Sequence, residues 1–160
     1  MRSPTRYIAT ALLCAAVLTL AACGGSGREK KQINPPRASI QQLTVQPNGQ
    51  WRLIVRLQNF SNRPADFSST TASLKFGGQD AGSFTVAAGM SIGPQSADTV
   101  ETTITPALGG KLAVASALAA SQSVRYEIRG QIGTSQRDAP YEFSYESSLN
   151  PAPGLPGVLR

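Results

Sequence analysis

The sequence has no histidine and only two cysteines in 160 residues. Without histidine there can be no Ser-His-Asp triad, Cys-His dyad, His-ligated haem or mixed His/Cys zinc site. Any catalysis would have to rest on carboxylates, lysine or metals held by oxygen. Charge is also sparse, at 15% of residues against roughly 25% in an average soluble protein. The apolar run over residues 7–22 has 16 members, short of the ~20 that a helix needs to cross a bilayer. No internal repeat is present. What the chain does have is 41% apolar residues, too many for a disordered polymer, and a length close to one domain of ~150 residues.

The start of the chain reads as a processing signal. Arg2 and Arg6 precede the apolar run, the arrangement of a secretory signal peptide. The run ends in Leu20-Ala21-Ala22-Cys23, followed by Gly24-Gly25-Ser26-Gly27, which resembles the lipobox of bacterial lipoproteins. That resemblance implies cleavage between Ala22 and Cys23, a diacylglycerol on the Cys23 thiol and an acyl chain on the new amino group, with no other cofactor. The competing reading makes Cys23 a small apolar residue ending an ordinary signal. Cys14 lies inside the apolar run behind Leu12-Leu13 and is expected to be discarded. Loss of residues 1–22 leaves 138 residues with 13 basic and 9 acidic side chains, a net charge of +4 in place of +6. Its one cysteine is then acylated, so no internal disulfide can form.

Residues 23–36 read as a lipidated cysteine and tether: a flexible Gly/Ser stretch, the charged Arg28-Glu29-Lys30-Lys31 and the stiff Asn34-Pro35-Pro36. Thirteen residues, 24–36, extend at most ~45 Å. Several acyl chains on one residue anchor far more firmly than a single myristoyl group. Gly24 after the cysteine, in place of aspartate, resembles the sorting signal for the outer membrane. The expected location is therefore the bacterial envelope, on the outer membrane facing the periplasm, where nucleic acid is not an expected partner.

Residues 37–147 show short period-two alternations, the mark of half-buried antiparallel strands. In residues 51–60, Trp51, Leu53, Val55 and Leu57 alternate with Arg52, Ile54, Arg56 and Gln58. Leu43 and Val45 precede them across Pro47-Asn48-Gly49, where Asn-Gly suits a tight hairpin. A third strand carries Ala72, Leu74 and Phe76 inward, and a fourth carries Phe84, Val86 and Ala88. The fifth runs through Thr99, Val100, Glu101, Thr102 and Ile104; its Thr-rich alternation suits an edge. Thr105 and Pro106 read as N-cap and first residue of a helix with Leu108, Leu112, Ala115 and Leu118 at helical spacing, running to about Ala120. Val124, Tyr126, Ile128 and Ile132, then Tyr141, Phe143 and Tyr145, complete the set. About seven strands with one short crossover helix predict an all-β, immunoglobulin- or fibronectin-like antiparallel β-sandwich, with a small barrel as alternative. Residues 148–160, rich in Pro and Gly, are expected to stay outside the ladders as a loose or docked tail.

Several segments resemble the water-stress and hypersensitive-response (WHy) domain of type 2 late-embryogenesis-abundant proteins, which also occurs in bacterial lipoproteins. The likeness covers roughly residues 34–147. It rests on Asn34-Pro35-Pro36, on Leu53-Ile54-Val55-Arg56-Leu57-Gln58-Asn59, on Ile92-Gly93-Pro94 before a Thr-rich strand, and on Tyr126-Glu127-Ile128-Arg129-Gly130. Where that family often has Asn-Pro directly after the second strand, this chain has Asn59-Phe60-Ser61-Asn62-Arg63-Pro64. The resemblance implies a sandwich, no catalytic residues, and a role in desiccation, cold or other stress tolerance by shielding client proteins.

The tempting sites each have a plainer reading. Ser73 and Lys75 share a strand face, as a nucleophile pair would, yet alternation already places polar residues there. Asp98 and Glu101 are three apart on a strand and so face opposite ways. Gly77-Gly78-Gln79-Asp80 echoes a calcium-binding turn but suits a hairpin. Arg52, Arg56, Arg125 and Arg129 form a candidate basic patch interleaved with Glu127, Glu142 and Glu146. The sequence thus predicts a non-enzyme. As an alternative to stress protection, an envelope scaffold lipoprotein would grip one partner through a sheet edge at Thr99, Glu101 and Thr103.

Overall fold

The computed structural model describes residues 30–160. The predicted signal peptide, the cleavage pair Ala22 and Cys23, and the first part of the tether lie outside the described residues. Eight strands and one helix follow in order: β1 Arg37–Val45, β2 Trp51–Gln58, β3 Ala65–Phe76, β4 Gln79–Ile92, β5 Ala97–Ile104, α1 Leu108–Ala120, β6 Val124–Thr134, β7 Arg137–Leu149 and β8 Val158–Leu159. They form two four-stranded antiparallel sheets, β5-β2-β1-β8 and β4-β3-β6-β7. Helix α1 carries the chain from the first sheet to the second. The predicted β-sandwich is the observed architecture.

Alternation explains the core. Trp51, Leu53, Val55 and Leu57 of β2 are all buried, facing Leu74, Phe76, Tyr126 and Ile128 from the other sheet. Trp51 meets Phe76 edge-on, with ring centroids 5.4 Å apart, and Phe76 packs against Tyr126 at 6.0 Å. The β1–β2 hairpin closes when Gly49 N–H donates to the Gln46 carbonyl at 2.9 Å, with Gly49 at φ 82°. Pairing in β3 slips between Phe67 and Ser69, and there Thr70 is fully buried with a hydroxyl that has no hydrogen-bond partner. Burying an unpaired hydroxyl costs about 1 kcal/mol or more. Thr70→Val, nearly the same shape, is expected to raise the urea unfolding free energy by about 1 kcal/mol.

Three expectations are corrected. The predicted apolar spacing does not mark the buried face of helix α1: Leu108 and Leu112 are 72% and 59% exposed, Ala115 is exposed, Leu118 alone of the four packs partly buried against the core, and Gly110, Val114 and Ala117 face inward. The glycine pair dictates this choice. A Cβ on Gly110 would sit 2.4 Å from Ala81 Cβ, so the helix can approach β4 this closely only through its glycine face. The helix also begins later than Thr105-Pro106 suggests. Ala107 is extended at its N-cap, held by a hydrogen bond to the Ala81 carbonyl at 3.3 Å.

The C-terminal segment is the second correction. Gly154 and Gly157, both at φ 74°, fold it back on itself. Val158 and Leu159 then pair with Thr44 and Leu43 of β1 as an eighth strand, and Arg160 exchanges backbone hydrogen bonds with Asn150 at 2.6 and 2.8 Å. The third correction concerns the other boundary. Residues predicted as tether already belong to the fold: Pro36 is buried, and Gln32 and Asn34 are hydrogen-bonded into the domain.

Candidate functional site

Backbone turns from both sheets converge at one end of the sandwich around two buried polar side chains, Asn59 and Ser61, 1% and 0% exposed. The Asn59 side-chain amide donates to the carbonyls of Arg63, Ile92 and Gly93 at 2.8, 3.1 and 3.0 Å. Its carbonyl oxygen accepts from Ser61 N–H at 2.9 Å. Ser61 Oγ accepts from Asn34 N–H and meets the Asn34 carbonyl and Gln136 Oε1. Asn34 Nδ2 donates to the Phe60 carbonyl at 2.8 Å. Gln32 and Asn62 complete the clasp, with Gln32 N–H on Asn62 Oδ1 and Asn62 N–H on the Gln32 carbonyl.

This cluster joins the entering chain, the β2–β3 turn, the β4–β5 turn and the β6–β7 turn. Three segments that carry the family resemblance, at residues 34–36, 53–59 and 92–94, therefore meet at one point although they are distant in sequence. The inserted Phe60-Ser61-Asn62-Arg63 is part of that joint. Ser61 supplies its second buried polar side chain, and Phe60 stacks under the Arg37 guanidinium, 5.0 Å from its ring centroid, with Tyr145 on another side at 4.5 Å. Sequence reasoning missed Asn59 and Ser61 as buried groups because polar residues after a strand normally mark an exposed turn.

The fourth resemblance segment contributes a link between sheets. Strand β8 pairs only with Leu43 and Thr44 of β1, leaving the backbone of Ile40 to find another partner. The buried Tyr126 hydroxyl takes that role, accepting from Ile40 N–H at 3.2 Å and lying 3.4 Å from its carbonyl. Desolvation by burial is the main reason why the phenol's pKa is raised above its ordinary value, with neighbouring Tyr145 acting in the same sense. The neutral form is thus favoured by folding. Its contribution is complete below the unfolded tyrosine pKa of about 10 and is lost as pH rises through the folded value. Tyr126→Phe is expected to cost about 1–2 kcal/mol at neutral pH. The variant should also lose stability less steeply than the parent above pH ~10, as measured by urea melts across that range.

The other predicted residues lie elsewhere. Strand β5 is outermost in its sheet. Thr99 N–H turns away from β2 to its own neighbour, the Asp98 carboxylate, at 2.7 Å; by alternation the backbones of Glu101 and Thr103 face the same open side. Glu101 also lies 3.9 Å from Arg52. Arg52 and Arg56 are on β2 of one sheet, whereas Arg125 and Arg129 are on β6 of the other. Their outward side chains face opposite sides of the sandwich, so the four arginines do not form one patch. Glu127 pairs with Arg129 on its own strand. The Ser73 hydroxyl donates to the Arg129 carbonyl at 3.3 Å, and Gly77 and Gly78, at φ 57° and 77°, make the β3–β4 hairpin. Among the described residues, no three His, Cys, Asp or Glu side chains gather as a metal site. A shallow groove of about 660 Å³ lies between Leu118, Ser121 and the loop of residues 151–157.

No protein-family model matches the chain, and no curated protein matches it. Several solved structures are similar in chain path. A solution structure from Arabidopsis thaliana aligns with a TM-score of 0.48 and 7% identity, covering 75% of this chain and 80% of that one. A solution structure described as that of a candidate late embryogenesis abundant (LEA) protein gives 0.44 and 12%, covering 91% and 84%. A crystal structure of a protein from Archaeoglobus fulgidus gives 0.42 and 14%, covering 75% and 98%.

Proposed function

We propose that this chain is a bacterial envelope lipoprotein, cut after Ala22 and acylated on Cys23, whose β-sandwich is a noncatalytic WHy-type module that shields other proteins during desiccation or cold. The observation that carries the reading is the Asn59 joint. Residue patterns that resemble the family at separate places in the sequence form one hydrogen-bonded assembly in space, as expected if they are parts of one structural motif. The lipobox pattern supports the anchor and the envelope location. In the test, the mature protein is purified from membranes, weighed intact, and dried or heated with an unrelated enzyme. The expected mass is that of a chain beginning at Cys23 plus its acyl groups, and the expected effect is less aggregated enzyme. An unmodified chain starting at Met1 defeats the anchor, and undiminished aggregation defeats the shielding role.

A second reading, an assembly lipoprotein that grips one partner by strand addition, is favoured by the outermost position of β5. Edge strands with unpaired backbone groups invite such pairing. The Asp98 carboxylate on Thr99 N–H opposes it, because it already occupies one of the donors that an added strand would use. Crosslinking in intact cells separates the two readings. One dominant partner that disappears on Thr99→Pro or Thr103→Pro supports the grip, whereas many weak partners unaffected by either substitution support shielding.

A further inference from the structure

We infer that a second copy of this chain docks on the open edge of β7, the two β7 strands running antiparallel about a two-fold axis at Tyr145 and joining their sheets into one. The inference needs neither the lipid anchor nor the shielding role.

Strand β7 is outermost in its sheet. Which of its backbone groups face outward follows from the strand behind it. Gly77 N–H donates to the Arg125 carbonyl at 2.8 Å, so the odd-numbered residues of β6 turn their backbones to β3 and the even-numbered ones to β7. Those even-numbered residues pair, without a slip, with Tyr141, Phe143, Tyr145, Ser147 and Leu149. The N–H and C=O groups of Glu142, Ser144, Glu146 and Ser148 therefore point to the open side, and all four residues are exposed. The next residue in that series shows the same direction. Asn150 exchanges backbone hydrogen bonds with Arg160 at 2.6 and 2.8 Å, and among the described residues no backbone bond does the same for the four before it.

The other outer edges each carry a device that opposes an added strand. Strand β4 has α1 against its first residues, and beyond them Gly89 at φ 56° beside a slip in pairing. In β5 the Asp98 carboxylate holds Thr99 N–H. Strand β8 is two residues long, and where it stops covering β1 the Tyr126 hydroxyl takes the backbone of Ile40. From Tyr141 to Leu149, β7 has neither proline nor pairing slip.

The sequence of β7 is complementary to itself in one register. With the axis at Tyr145, Glu142 lies opposite Ser148 of the second copy and Ser144 opposite its Glu146, so all four open residues of each strand are paired and each glutamate faces a serine. Moving the axis to Ser144 sets Glu142 against Glu146, and moving it to Glu146 sets that residue against itself; like charges directly opposite are destabilising. An axis at Phe143 spends Glu146 on Pro140, which has no N–H to give. An axis at Ser147 spends Ser144 on Asn150, whose groups Arg160 already holds. Within each copy, Arg125 and Arg129 of β6 sit on the two diagonals from Glu146, which offsets the acidity of the joined edge.

Register-specific crosslinking tests this. Ser144→Cys and Glu146→Cys both alter exposed side chains and leave the core untouched. The two full-length variants are produced together in one cell, the extract is oxidised with copper phenanthroline, and disulfide-linked dimers are told apart by intact mass. The parent chain, with its own Cys14 and Cys23, sets the background. In the proposed register, positions 144 and 146 lie opposite each other at about 5.5 Å between Cα atoms, within disulfide reach, whereas like positions are diagonal at roughly 7–8 Å. The mixed dimer is expected several-fold beyond statistical mixing. Ser148→Glu in both chains sets like charges opposite one another at positions 142 and 148 and should lower the mixed dimer several-fold. Adding Glu142→Lys makes those charges opposite in sign and should restore it, which only folded chains can do. Dimers in statistical amounts, an excess of either like-with-like dimer, no disulfide above the parent's, attachment to a different protein, or indifference to the charge changes overturns the inference.

Discussion

Asn59→Asp is expected to destabilise the domain by about 4 kcal/mol at neutral pH, among the largest costs for a single buried substitution. The change replaces one nitrogen with oxygen and removes no volume. That nitrogen, however, faces three backbone carbonyls within 3.1 Å, and an oxygen there would meet acceptors where donors are needed. The introduced carboxyl would be held protonated, with its pKa raised in the folded state. The sign follows directly. Below the unfolded aspartate pKa of about 3.9 the variant is at its best, and it loses stability as pH rises from there toward 7. Urea unfolding at several pH values reads this out. A variant as stable as the parent at pH ~7 would mean that the joint is not the fold's main polar fastening.

Gly130→Ala is expected to cost more than about 3 kcal/mol, seen as a Tm lower by about 10 °C or as failure to accumulate folded protein. Its backbone angles are not the reason; space is. A Cβ at Gly130 would fall 1.9 Å from the Thr71 carbonyl oxygen and 2.7 Å from Ala72 Cα, both backbone atoms of the neighbouring strand β3. Neither can rotate out of the way, so the β3–β6 ladder must separate. Gly133→Ala, three residues along the same strand, is the internal control. There the nearest atom is the Ser68 hydroxyl at 2.5 Å, the end of an exposed side chain that can turn aside. The thermal melt of the second variant should stay near the parent's, and equal losses in both would remove the steric explanation.

These contrasts also indicate which parts of the fold were legible from sequence. Strand β2 was readable residue by residue because alternation of Trp51, Leu53, Val55 and Leu57 is undisturbed and every inward position is apolar. The first half of β3 was not, because its pairing slips between Phe67 and Ser69 and the next inward residue is the polar Thr70. Helix α1 was located but turned the wrong way. Periodicity marks a face with leucines, whereas close approach to Ala81 selects the glycine face. Strand β8 was hidden by its own length: two residues carry no period, and the Pro/Gly run before them reads as a terminus even though it is a reversal. The Asn59 joint was half legible. Its residues stood out as a family-like pattern, but nothing in a linear reading says that Asn34, Asn59 and the carbonyl of Gly93 share a single set of bonds.

The return of Val158 and Leu159 to β1 makes the fourth strand of the first sheet depend on a single reversal. Arg160 bonds to the backbone of Asn150 and to the side chain of Gln42 at 2.8 Å, and the loop of residues 151–157 is the one covalent route by which β8 reaches that place from β7. A proteolytic nick within that loop would leave β8 attached by noncovalent contacts alone, chiefly its own two-residue ladder with β1, so the first sheet would shed a strand at a cut that touches none of its three longer members.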